Sequence, residues 1–87
     1  MSPLERLFAL EIEFQRRLRS EAPGGLDGGT LHTSYAIQFG YEQLLRQVGR
    51  VTPADLQRLA ERSSLAGDAR DVLAARDSVA RLLGLEP

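Results

Sequence analysis

SPLERLFALEIEFQRRLRS, residues 2–20, admits two readings, and the choice between them decides the fold. As a helix it has a complete start. Ser2 caps, Pro3 takes the first helical position, where its missing N–H costs nothing, and Glu5 stands three residues after the cap to close a capping box. Glu13 and Arg17 make a favourable i,i+4 pair. As a strand, Leu10–Phe14 alternates with period two, and Tyr35–Phe39 does the same further on, so a hairpin across the intervening glycines competes. The capping signals and the Arg/Glu/Leu content favour the helix.

Working outward, Glu21–Gly29 reads Glu-Ala-Pro-Gly-Gly-Leu-Asp-Gly-Gly, which breaks any regular element and sets a Gly-rich loop at 22–29. A second helix is expected over 33–49, with Thr30 or Thr33 near its start and Gly49 at its end. Thr52-Pro53-Ala54-Asp55 is another start, with Thr52 as cap and Pro53 first in the helix, giving 53–63. Gly67-Asp68 punctuates again, and with Asp68 as cap a last helix spans 68–83, stopped by Gly84. The expected fold is therefore all-α: a small bundle of about four helices (2–20, 33–49, 53–63, 68–83) in a single domain, 1–87.

The chain has 87 residues, 43% of them hydrophobic, and a formal net charge of −1. A domain this small buries only about 60% of its unfolded surface and gains from association. The near-neutral charge exerts no general pull toward nucleic acid or anionic lipid. With no cysteine, disulfides and thiolate metal sites are excluded. All 11 basic residues are arginine, so the lysine required by a Walker loop or a Schiff-base enzyme is missing. No apolar run reaches membrane-spanning length and no basic, apolar leader opens the chain, so the expected location is cytoplasmic, with no membrane association.

The residues of catalysis do not assemble in the sequence. His32 is the single histidine; a zinc site needs three or four suitably spaced ligands, and no Gly-x-Ser-x-Gly elbow is present. The residues after His32, Thr33-Ser34-Tyr35, differ from the Lys and Gly that follow the histidine of phosphotransfer domains. The glycines at 24–25 and 28–29 match neither Gly-x-Gly-x-x-Gly nor a Walker pattern. Neither enzymatic activity nor a cofactor is expected.

Leu56-Gln57-Arg58-Leu59-Ala60-Glu61-Arg62-Ser63-Ser64-Leu65 resembles the first helix and turn of a helix-turn-helix DNA reader, with Ala60 at the small position and Leu65 at the apolar position after the turn. That resemblance, extended over 53–83, implies a DNA-binding regulator. It departs from the pattern at Ser64, which replaces the turn glycine, and at Arg70, which stands where an apolar residue belongs. Asp68, Asp71 and Asp77 on the would-be recognition helix would repel phosphates.

The helical faces point instead to a protein partner. On a wheel, Leu4, Leu7, Phe8, Leu10, Ile12, Phe14 and Leu18 spread over roughly 200°, wider than one contact needs. Glu11 falls inside that arc and Arg76 inside the apolar face of the last helix, which makes them a candidate buried ion pair. In the second helix Ile37, Tyr41, Leu44, Leu45 and Val48 form a stripe, with Tyr35 and Phe39 nearly opposite and Ala36 and Gly40 beside them. Tyr35, Phe39, Phe8 and Ile12 are the candidate partner-binding residues. The expected function is a non-catalytic interaction module (adaptor, small chaperone or regulatory subunit) that binds a protein partner, self-associates, or does both.

Overall fold

A computed structural model describes the backbone of residues 1–21, 28–65 and 67–85, and the side chains of 1–18, 38–65 and 67–85. It contains α1 (Pro3–Glu21), α2 (Gly28–Gln47), α3 (Pro53–Ser64) and α4 (Ala69–Leu82). No strand occurs among the described residues. The period-two stretches at 10–14 and 35–39 both lie inside helices, so the hairpin reading is set aside. The radius of gyration, 13.0 Å, is close to the roughly 12 Å expected for a folded domain of this length.

The helix ends form where the local signals sit. The Glu5 N–H donates to Ser2 Oγ at 3.2 Å. The return half of the anticipated capping box is not made, because the Glu5 carboxylate meets Arg62 of α3 at 3.5 Å instead. Thr52 and Asp55 make a full box: Asp55 N–H donates to Thr52 Oγ1 at 3.2 Å and Thr52 N–H to Asp55 Oδ2 at 3.0 Å. Asp68 caps α4 by accepting from the Arg70 N–H at 2.9 Å. Gly84 ends it at φ +68°, a conformation that glycine adopts without a Cβ clash. The boundary that moves most is the start of α2, at Gly28 rather than near Thr30 or Thr33, and its end falls at Gln47 rather than Gly49. Gly28 and Gly29 thus belong to the helix, while residues 22–27 of the anticipated loop lie outside the described residues. Glycine is tolerated in a first turn, where packing along the rest of the helix outweighs its propensity cost of about 1 kcal/mol.

Helix α1 is the centre of the packing: it lies against α4 and α2, and α3 packs on α4. The core is Leu7 and Phe8 from α1, Tyr41 and Leu44 from α2, Leu56, Leu59 and Ala60 from α3, and Val72, Ala75 and Val79 from α4. Five residues of the wide apolar arc of α1 are thereby accounted for, Leu7 and Phe8 in the core and Leu4, Leu10 and Ile12 packed against it. On one flank Leu10 reaches α2, close to where a Cβ on Gly40 would stand (3.4 Å). Glu11, inside the arc, meets α4 through Ser78, and Glu5 beside the arc meets Arg62 of α3. Phe8, 2% exposed, is a core residue of the chain itself, and Ile12 packs partly buried against the core. Phe8 thus fills the chain's own core and offers no docking face, while Ile12 also borders a surface cleft with Ala9, Glu13 and Arg16.

Candidate docking surface on α2

The described side chains of α2, residues 38–47, are covered on one side. Tyr41 and Leu44 are buried, and Leu45 and Val48 pack partly buried against the same core. The contacts that bury this stripe come from α1. The opposite side carries Gln38, Phe39, Glu42, Gln43, Arg46 and Gln47, all exposed. Phe39, at 64%, is the most exposed aromatic ring among the described residues. Helical spacing puts 39, 42, 43 and 46 on one face. Neither Glu42 nor Arg46 forms an ion pair or hydrogen bond among the described residues, although the two stand at i,i+4. The side chain of Tyr35, the other aromatic candidate, lies outside the described residues.

A second feature is a buried polar junction joining α1, α2 and α4. Glu11 is 2% exposed and its carboxylate accepts from the Ser78 hydroxyl at 2.8 Å, with Gln15 Nε2 at 3.5 Å from the other oxygen. The Tyr41 hydroxyl is buried beside it with no hydrogen-bond partner among the described residues. Burial, and then the adjacent Glu11 carboxylate, push the Tyr41 pKa far above the ordinary phenol range, so the ring stays neutral. Glu11 does not pair with Arg76. Arg76 donates to Gln57 Oε1 at 3.1 Å and to Asp77 Oδ1 at 3.0 and 3.2 Å. The reason is rotational: residues 71, 75, 78 and 82 of α4 turn to one side and 72, 76, 79 and 83 to the other. Ser78 therefore meets α1, while Arg76 meets α3. The sequence holds one signal for this partner that the apolar count passes over: Ser78 falls in line with Ala75 and Leu82 on the α1 side. The other buried acid, Asp71, lies in the first turn of α4, with Arg16 of α1 at 3.5 Å.

Neither feature supports chemistry. The Glu11 junction is closed to substrate, as its exposure requires. The surface clefts are lined by charges already engaged. A cleft of about 270 Å³ between α1 and α3 is bordered by Asp55 and Arg58, which pair with each other, and by Glu5 and Arg62, which do the same. No three His, Cys, Asp or Glu side chains gather to hold a metal among the described residues, and the side chain of His32 lies outside them. No helix of the described residues is long and apolar enough to cross a membrane.

Residues 53–83, which resemble a helix-turn-helix in sequence, form an antiparallel pair. Gln57, early in α3, bonds to Arg76, far along α4, and Pro53, Leu56, Ala80 and Leu85 border one cleft between them. In a helix-turn-helix the second helix leaves the first at about 90–120° and offers a free face to the groove. Here α4 is held between α1 and α3, Asp71 is buried, and Arg70, Leu73, Asp77 and Arg81 remain outside. Comparison of the chain with protein-family models, with curated proteins and with solved structures finds no match.

Proposed function

We propose that this chain is a non-catalytic protein–protein interaction module that uses the outer face of α2, centred on Phe39, as its docking surface. The observation that carries the reading is Phe39 itself: a large ring, 64% exposed, on a helix whose other side already fills the core. An exposed aromatic among polar neighbours has the composition of an interface anchor within a polar rim. The buried Glu11–Ser78 junction serves the fold, and of the exposed large apolar side chains among the described residues, Met1, Phe39, Leu65, Leu73 and Leu82, Phe39 is the aromatic one. Adaptor, small-chaperone and regulatory-subunit roles all use such a face, and the reading places the protein in the cytoplasm.

The test is Phe39→Ala. An anchor truncated at the surface leaves folding stability within about 1 kcal/mol of the parent and weakens association by more than about fivefold. Thermal unfolding gives the first quantity; light scattering together with affinity capture from native lysate gives the second. A variant that loses 3 kcal/mol or more, the order expected for a core ring, would place Phe39 in the interior. Unchanged association with unchanged stability would move the docking surface off α2.

A further inference from the structure

The outer face of α2 is self-complementary, and we infer that its occupant is a second copy of this chain, packed antiparallel across a twofold axis with Glu42 of each copy opposite Arg46 of the other. The inference rests on the docking role of α2 and names its partner.

Three observations carry it. Glu42 and Arg46 are opposite charges one helical turn apart, both exposed, and neither has a partner among the described residues. In an antiparallel twofold pair each contact is made twice, so a register that sets 42 against 46 satisfies all four charges at once. The same register sets Phe39 of one copy against position 49 of the other. Gly49 is exposed, and a Cβ built there would find nothing within 4 Å, so a ring has room to lie across the end of the second helix. Finally, the net charge of −1 per chain adds little repulsion between copies. A single helix face buries less than the roughly 800 Å² per partner of a standard interface. The dimer is accordingly weak and salt-sensitive, forming in the micromolar range.

The experiment is a charge swap read by sedimentation equilibrium from about 1 to 100 μM at low salt. Both side chains are exposed and unpaired among the described residues, so the substitutions leave the fold intact, which circular dichroism checks. Glu42→Arg alone and Arg46→Glu alone each put like charges in both contacts and should weaken dimerisation at least about tenfold. The doubly swapped chain, and an equimolar mixture of the two single variants, restore opposite charges and should return it to within about threefold of the parent. A parent chain that stays monomeric at 100 μM overturns the self-pairing but leaves the docking role of Phe39 to its own test with a different protein. A parent dimer indifferent to both single swaps overturns the register and the face together. Loss in the single variants without recovery in the double variant or the mixture overturns the antiparallel pairing.

Discussion

Ser78→Ala and Tyr41→Phe remove one hydroxyl each from the same buried junction, and the structure assigns them opposite consequences. The Ser78 hydroxyl is the short donor to Glu11, at 2.8 Å; without it the carboxylate keeps only Gln15 at 3.5 Å, in a site where Glu11 is 2% exposed. A hydrogen bond to a charged group contributes about 1.5–3 kcal/mol, and a buried acceptor left unsatisfied carries its full desolvation cost. Ser78 itself is only partly buried, so water can reach part of the gap. The expected loss is about 1.5 kcal/mol, which for a domain of this size lowers Tm by roughly 6–12 °C. Tyr41→Phe removes a buried hydroxyl that lies beside Glu11 but meets no partner in hydrogen-bond geometry among the described residues, so stability should stay within about 0.5 kcal/mol of the parent or rise. The pair also separates by pH. The folded state holds the Tyr41 proton more tightly than the unfolded chain does. That contribution is complete below the ordinary phenol value of about 10 and is lost as pH rises above it; Tyr41→Phe should abolish this alkaline component, and Ser78→Ala should keep it. Urea and thermal unfolding at pH 7 and between pH 9 and 11 measure both. If Ser78→Ala proves neutral while Tyr41→Phe costs 1.5 kcal/mol or more, Tyr41, not Ser78, is the donor that solvates Glu11.

Two further outcomes follow from the helix ends. Asp55 has its carboxyl pKa lowered, first by the Thr52 backbone N–H, then by the Thr52 side chain and by Arg58. Its contribution is present above the ordinary carboxylate value of about 4 and disappears as pH falls through the lower folded-state value, so Asp55→Asn should flatten the acid limb of a stability–pH curve while changing little at its acid end. Gly84 sits at φ +68° with open space around it, so Gly84→Ala meets backbone strain without a packing clash; a loss of about 1 kcal/mol in denaturant titration is expected, and none would mean that the last turn can end without the left-handed residue.

The helix count, the chain order and three of the four starts were legible because the signals that set them act within one turn. Ser2, Thr52 and Asp68 accept from backbone N–H groups two or three residues on, and Gly84 supplies a positive φ where α4 stops. The start of α2 was not legible, since glycines at 28 and 29 read as a break when local propensity is the only guide. The stripe of Tyr41, Leu44, Leu45 and Val48 correctly marked the inner side of α2, and Phe39 the outer side.

Which neighbour each face meets is settled by how the helices pack, not by any one segment. Periodicity alone gives α1 a broad apolar arc with Glu11 inside it; it does not say that α2 and α4 are the helices packed on α1, with Phe8 in the core. It placed Arg76 on the apolar face of α4, but that face is split between two helices, and Ser78 and Arg76 stand about 160° apart on the wheel, so one meets α1 and the other Gln57 of α3. Amphipathic periodicity records that a residue is turned inward. The identity of its contact depends on the order and rotation of helices brought together from opposite ends of the chain, as Glu11 and Ser78 are, and no pattern local to either segment encodes it.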